Sequence, residues 1–219
     1  MRISERLRDD AGPVWESLTG HPFVAELCRG DLPLEKFEYY ILQDYHYLVT
    51  AMRNFSIIAS KAPTVEALRE IISILDLEAR SEFDGYLELL ERLGYTADDA
   101  SGVEPMPVSV SYGGFLVSTS SVGSYAEAIT AVLPCFWSYA EIARRWSAEL
   151  ESNEVELYRD WGHAYAGEKY LRLVGKLRDL VDEAGEREPY EKLKEVFITA
   201  SRFEYMFWDA VYSGRRWPV

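Results

Sequence analysis

The sequence has little cysteine and no long apolar run. Cys28 and Cys135 are the only cysteines in 219 residues, which is too few for the framework of a disulfide-rich secreted scaffold. No uninterrupted apolar stretch approaches the roughly 20 residues that a membrane span requires. Charged residues follow Met1 at once, where a signal peptide would place an apolar segment. We therefore expect a cytoplasmic protein with no membrane partner.

Side-chain amides are also scarce, with one glutamine (Gln43) and two asparagines (Asn54 and Asn153). Depletion of thermolabile amides in a chain with many charges is typical of thermophilic proteins. Genome base composition can produce the same depletion, so both explanations stay open at this point.

Basic residues are outnumbered, 23 against 37 acidic ones, which gives a net charge of −14. A surface this negative repels phosphate backbones and anionic lipids, and we expect no nucleic-acid partner. Apolar residues make up 48% of the chain, enough for a sizeable core. The length predicts one domain over residues 1–219.

Aromatic residues are plentiful, with 15 Tyr, 9 Phe and 6 Trp. Because tyrosine combines a flat apolar ring with a hydroxyl that needs a partner when buried, this excess suits a pocket for a planar polar ligand or a subunit interface. Composition alone favours the simpler reading, a tyrosine-rich helical core.

Apolar residues recur at helical spacing almost everywhere, and no alternating strand pattern or internal repeat is present. Thr64 is a good helix N-cap, and Pro189 suits a first turn. The only longer break is 94–110, before a short helix. The sequence predicts an all-α fold, a single bundle of seven to nine helices, with the main helices at 34–60, 64–90, 124–150, 154–166, 168–184 and 189–212.

Asp44 and Tyr47 share one helical face with Tyr40, because they are three and four residues apart. A carboxylate on the face that should meet the core is costly unless it is paired or lines a cavity. One interpretation is a ligand-binding Asp44. The alternative is an aspartate satisfied by a neighbouring tyrosine or arginine.

Cys135 follows Pro134 inside a predicted helix, with Tyr139 one turn later on the same face. Proline in a helix interior removes a hydrogen bond, a cost that is tolerated where a functional side chain must be aimed. A nucleophilic thiol is therefore a candidate, provided that an acid–base neighbour exists. An inert core cysteine is the simpler alternative.

Glu204 lies among aromatic residues in the last helix. Burial there would raise the pKa of the carboxyl and make it a general acid near neutral pH. The alternative is an ion pair with Arg202 or with a residue elsewhere in the chain. Together, a thiol, two carboxyls and several tyrosines could perform addition and elimination on an electron-poor heteroaromatic ring.

A metal site is disfavoured because only His21, His46 and His163 are available. Asp160 and His163 could form half of a carboxylate–histidine site, but a di-iron bundle needs repeated pairs from different helices. Phosphate-binding glycine loops and serine elbows are absent. We expect no cofactor and no metal ion.

Several motifs, in this order and at this separation, resemble the TenA family (thiaminase II, aminopyrimidine aminohydrolase) over essentially the whole chain. They are His21-Pro22-Phe23-Val24, Gly30-Asp31-Leu32-Pro33, Phe37 with Tyr40, Gln43-Asp44 with Tyr47-Leu48, Leu133-Pro134-Cys135-Phe136-Trp137 with Tyr139, Tyr165-Ala166-Gly167, and Phe203-Glu204-Tyr205 with Phe207-Trp208.

The resemblance implies a heme-oxygenase-like helical fold without heme, a homotetramer, and a role in thiamine salvage. It implies hydrolysis of 4-amino-5-aminomethyl-2-methylpyrimidine, and more slowly of thiamine, to the hydroxymethylpyrimidine. Rival readings are a pyrimidine- or thiamine-binding protein without turnover, and a metal-dependent oxidase of the same fold.

The resemblance also assigns roles to residues. Cys135 would add to the ring, Glu204 would protonate a ring nitrogen and take the proton back, and Asp44 would hold the 4-amino group with its neighbouring nitrogen. The pocket would be lined by four tyrosines, the second of which lies outside the motifs above: Tyr47, Tyr112, Tyr139 and Tyr165. Tyr47 and Tyr112 would lie near the Glu204 carboxyl.

Three positions depart from the family pattern. The segment around Tyr165 matches loosely, Phe83 stands near where many relatives carry a histidine, and Arg202-Phe203 replaces an aromatic pair. The missing histidine further disfavours the oxidase reading.

Overall fold

The apolar residues at three- and four-residue spacing form helices along the whole chain, and a computed structural model describes all 219 residues. No strand is present, which confirms the predicted all-α class. The thirteen α-helices are α1 (Ile3–Asp10), α2 (Gly12–Thr19), α3 (Pro22–Arg29), α4 (Leu34–Lys61), α5 (Val65–Leu77), α6 (Phe83–Arg92), α7 (Ala97–Gly102), α8 (Pro107–Val122), α9 (Tyr125–Arg145), α10 (Ser147–Ser152), α11 (Glu156–Ala166), α12 (Glu168–Gly185) and α13 (Tyr190–Ser213).

The predicted count of seven to nine helices is too low, because short helices escape a search for long periodic stretches. Three of them, α1 to α3, precede residue 30. The predicted break at 94–110 contains α7, which begins where Thr96 and Asp99 cap each other's backbone N–H groups. The predicted helix over 124–150 is divided at Trp146 into α9 and α10.

The helix predicted over 64–90 is interrupted. Its start is as expected, since Oγ1 of Thr64 accepts a 3.1 Å hydrogen bond from the Ala67 N–H. After α5 a π-helical turn spans Glu78–Glu82, and α6 follows without a loop. Such turns are rare, and they are frequent at functional sites.

The last helix differs from expectation by one position at its start. Pro189 is the N-cap residue and α13 begins at Tyr190. Its end is set by Gly214, whose left-handed φ of 65° closes the last turn.

Helix α9 is the centre of the packing, with α2, α4, α8, α11, α12 and α13 against it. The core is one cluster of 50 buried residues in which large rings interlock. Trp15 stacks on Phe197 at 5.5 Å, and Trp208 stacks on Phe23 at 5.0 Å. This arrangement brings α4, α8, α9 and α13 together around the predicted site residues.

None of the thirteen helices is both long enough and apolar enough to cross a bilayer.

Candidate active site

Four helices direct polar side chains into one small chamber. Its wall consists of Asp44 and Tyr47 from α4, Tyr112 from α8, Cys135 and Tyr139 from α9, and Glu204 and Phe207 from α13. We call this space the inner chamber. Every predicted site residue except Tyr165 lines it.

Glu204 is 2% exposed and is held by one strong hydrogen bond. Oη of Tyr112 donates to Oε1 of Glu204 over 2.6 Å. Burial raises the pKa of the Glu204 carboxyl to about 7, an effect that Tyr112 and the Cys135 thiol partly oppose. Arg202 is exposed and makes no ion pair, so the alternative of an Arg202–Glu204 pair is wrong. Near neutral pH, Glu204 can both accept and donate a proton.

Cys135 lies beside Glu204 and Tyr47 in the middle of α9, one residue after Pro134. Burial raises the pKa of its thiol, the nearby Glu204 charge raises it further, and hydrogen bonding with Tyr47 opposes the rise. The group is therefore a neutral thiol at rest. It differs from Cys28, which is fully buried in the core and whose pKa burial raises to about 12. A thiol on a cavity wall next to a titratable carboxyl is suited to nucleophilic attack.

Asp44 has no hydrogen bond or ion pair, so the alternative of an aspartate satisfied by a tyrosine or an arginine is wrong. Burial raises the pKa of its carboxyl, and the charges of Glu82 and Glu204 raise it further. Its carboxyl is free to bind a ligand.

Tyr139 and Tyr165 pack edge to face, with ring centroids 4.8 Å apart. Tyr139 lines the inner chamber, whereas Tyr165 lies beyond it and its hydroxyl faces Oε1 of Glu82 at 3.4 Å. Tyr165 therefore lies next to the inner chamber, behind Tyr139, and does not line it.

A second space, the middle chamber, adjoins the inner one and shares Asp44, Tyr47, Cys135 and Tyr139 with it. It is also lined by residues that do not reach the inner chamber: Leu48, Glu78, Glu82, Phe136, Tyr165 and Tyr170. An outer cleft of about 270 Å³ begins at Asp44, Glu82 and Tyr165 and opens toward α6 and α11. The middle and inner chambers measure about 30 and 10 Å³.

The three histidines are engaged away from these chambers. His21 caps α3 by accepting from the Phe23 N–H at 3.1 Å, and Nε2 of His46 lies 2.7 Å from the Val103 carbonyl oxygen. His163 faces Glu151 at 3.3 Å, while Asp160 of the predicted half-site pairs with an arginine, Arg92. No group of three histidine, cysteine or acidic side chains is arranged to hold a metal ion.

A model of the TENA/THI-4/PQQC family matches residues 8–214. The chain belongs to this family. It is 30% identical over 220 residues to the aminopyrimidine aminohydrolase of Halalkalibacterium halodurans, covering 99% of this chain and 98% of that protein. The resemblance drawn from the motifs is confirmed.

Solved structures agree with this membership. The TenA homologue from P. horikoshii OT3 is 41% identical and superimposes with a TM-score of 0.94 over 98% of this chain and all of that one. A domain with a heme oxygenase-like fold from Shewanella denitrificans is 14% identical, with a TM-score of 0.78 over 96% of this chain and 92% of that chain. The expected heme-oxygenase-like fold is confirmed.

Two departures from the family pattern are structurally mild. Phe83 stacks on Tyr86 with centroids 5.9 Å apart and lines neither chamber. Phe203 stacks on Tyr112 with ring centroids 5.2 Å apart. This packing restricts the ring of the tyrosine whose hydroxyl donates to Glu204.

Sequence reasoning missed Glu78, Glu82, Phe136 and Tyr170. The sequence does contain a signal for Glu78. Ile71, Ile74 and Glu78 follow one another at helical spacing on one face, and both isoleucines are fully buried. The π-helical turn that carries both glutamates has no sequence signature of this kind.

Proposed function

We propose that the protein is an aminopyrimidine aminohydrolase (thiaminase II) of thiamine salvage. It hydrolyses 4-amino-5-aminomethyl-2-methylpyrimidine, and thiamine more slowly, to the hydroxymethylpyrimidine. The observation that carries this proposal is the inner chamber, where the Cys135 thiol, the Glu204 carboxyl and the unpaired Asp44 carboxyl meet. The named activity of a relative aligned over nearly the full chain supports the same conclusion.

Asp44 holds the ring. Burial raises the pKa of this carboxyl, and in its protonated form the C=O oxygen accepts from the 4-amino group while the O–H donates to the adjacent ring nitrogen, so one side chain without a protein partner satisfies two substrate atoms. The rings of Tyr47, Tyr112 and Tyr139 enclose the flat substrate.

Cys135 and Glu204 carry the first half of the reaction together. Because the thiol is neutral at rest, it must lose its proton as it attacks. The Glu204 carboxylate accepts that proton and passes it to a ring nitrogen while sulfur bonds to a ring carbon. The ring is no longer aromatic, and its electron pair expels the amine or thiazole from the methylene carbon.

Water completes the reaction. Its oxygen bonds to the methylene carbon, and one of its two protons is released to the solvent, where the departed ammonia takes it up. The ring nitrogen then returns its proton to Glu204, the carbon–sulfur bond breaks, and Cys135 is reprotonated. Glu204 thus acts in both halves, a task that requires a pKa close to the working pH.

A turnover assay tests the proposal. Purified protein is incubated separately with the aminomethylpyrimidine and with thiamine, and released ammonia and thiazole are quantified. We expect ammonia release, with slower thiazole release. Tight binding of both compounds without turnover of either would instead identify a binding protein.

We also propose a homotetramer. Tyr205 and Met206, two large apolar side chains adjacent on α13, are 36% and 47% exposed, and we assign them to an interface between subunits. Light scattering coupled to size-exclusion chromatography should give four times the 25.1 kDa chain mass, and a monomer would contradict the proposal.

A further inference from the structure

Glu78 and Glu82 are two carboxyls that the proposed reaction leaves unused. They line the middle chamber together with Cys135. Glu78 is 5% exposed, and its carboxyl has no hydrogen bond or ion pair. Glu82 has one side-chain partner, the Tyr165 hydroxyl at 3.4 Å. A nearly buried carboxyl without a partner, facing a cavity, indicates a ligand group that it is built to meet.

The placement of this pair is unfavourable in the free protein. Like charges four residues apart on one helical face repel, and both carboxyls are largely removed from water. Burial raises the pKa of each group, and for Glu78 the charges of Glu82 and then Asp44 raise it further. A positively charged ligand between them would relieve both costs.

No basic side chain of the protein supplies that charge within the cavity. Neither the inner nor the middle chamber is lined by a lysine, an arginine or a histidine. The charge of Lys169 acts on Glu82, but its ammonium is exposed and donates to Oγ of Ser81 at 2.7 Å. The two chambers are therefore complementary to a cation.

The pair and Glu204 line different chambers, and Cys135 lines both of them. The inner chamber contains Glu204 but neither Glu78 nor Glu82, and the middle chamber contains the pair but not Glu204. We infer that a ring held by Asp44 and Glu204 in the inner chamber places its remaining substituent in the middle chamber, which shares Asp44 and Cys135 with it.

We propose that Glu78 and Glu82 form a cation recess that binds the positively charged group to be removed and selects substrates by that charge. The ligand class is an aromatic ring whose methylene carries a protonated amine or a quaternary ring nitrogen. This inference rests on the proposed function for the orientation of the ring. When the carbon–nitrogen bond breaks, the electron pair stays on nitrogen, so an ammonium group departs as neutral ammonia with its three protons.

Two ligands that differ in one group test the recess. In the Cys135→Ser background, calorimetry at pH 7 measures the binding of the aminomethylpyrimidine, which is cationic, and of the hydroxymethylpyrimidine, which is neutral. Glu78→Gln and Glu82→Gln should each weaken binding of the cationic ligand about tenfold, the effect of losing a charged hydrogen bond. Binding of the neutral ligand should change less than twofold.

Glu91→Gln is the matched control, because it removes the same charge from an exposed position on α6 outside both chambers. It should leave the binding of both ligands unchanged. Equal weakening of both ligands by Glu78→Gln and Glu82→Gln would indicate a structural role and overturn the proposal, as would no weakening at all.

Failure of the recess and failure of the proposed function give different results. If the wild-type protein turns over neither compound, the proposed function fails, while the comparison of the two ligands still decides whether the recess binds a cation. If the Cys135→Ser protein binds neither ligand, both proposals fail.

Discussion

The hydroxyl of Tyr112 and the carboxyl of Glu204 form a buried hydrogen bond of 2.6 Å between α8 and α13. Tyr112 and Glu204 are each 2% exposed. Because the phenol donates to the carboxylate, it stabilises the ionised form and opposes the rise in pKa that burial causes. The pair therefore determines at which pH Glu204 can take a proton from Cys135.

Tyr112→Phe should move the pH profile of the reaction. Loss of the donor lets burial raise the pKa of Glu204 above about 7. The rising limb of kcat/KM against pH, which we assign to ionisation of Glu204, should shift to higher pH by about one pH unit, one such unit being about 1.4 kcal/mol. Tyr158→Phe is the control, since it removes a buried hydroxyl that donates to the Leu32 carbonyl at 2.8 Å, outside both chambers. A profile that does not move would show that Tyr112 does not set this pKa.

Glu204→Gln should lower kcat roughly a hundredfold or more, because the amide cannot transfer the proton between Cys135 and the ring. The rising limb near pH 7 should vanish with it. Glu195→Gln, an exposed position on the same helix, serves as control and should keep wild-type kinetics. Retention of more than a tenth of wild-type kcat by Glu204→Gln would exclude the carboxyl as the proton carrier.

Because of the buried Glu204 carboxyl, the free energy of unfolding should be larger in mild acid than above pH 7. Since its folded-state pKa lies above the unfolded value, the stabilisation is complete below about pH 4.5 and is lost as pH rises through about 7. A pKa raised from 4.5 to about 7 corresponds to roughly 3 kcal/mol. Between pH 5 and 8 the wild-type Tm should therefore fall more steeply than that of Glu204→Gln, by about 6 °C or more. Parallel Tm curves for the two proteins would contradict the buried, raised-pKa carboxyl.

The scarcity of side-chain amides, with Gln43, Asn54 and Asn153 alone, predicts a thermostable protein. Differential scanning calorimetry at pH 7 should give a Tm above the range of about 45–65 °C that mesophilic domains occupy. A Tm within that range would favour genome base composition as the cause of the depletion.

The sequence allowed prediction of the helices that bury a periodic apolar face, such as α4 and α12. Their bounds, Leu34–Lys61 and Glu168–Gly185, lie close to the predicted 34–60 and 168–184. Short helices such as α7 were missed because six residues hold fewer than two turns of periodicity, and a capping pair, Thr96 with Asp99, defines it instead.

The site was predictable where a polar residue interrupts an apolar face, as Asp44 and Glu204 do. Glu82 escaped prediction because the π-helical turn at Glu78–Glu82 changes the register of the helix, so that α-helical spacing no longer tells which side chains face α4 and α9. Tyr165 was placed in the pocket through the family resemblance, but its hydroxyl partner, Glu82, became visible only in three dimensions.

The most direct test of the account is ammonia release from the aminomethylpyrimidine by the wild-type protein and by Cys135→Ser, with binding measured in parallel. Cys28→Ala is the control, since that buried cysteine lies outside both chambers. We predict that Cys135→Ser binds the substrate with near wild-type affinity and releases no ammonia, because a hydroxyl is a far poorer nucleophile, while Cys28→Ala keeps its turnover. Ammonia release at the wild-type rate by Cys135→Ser would contradict the account.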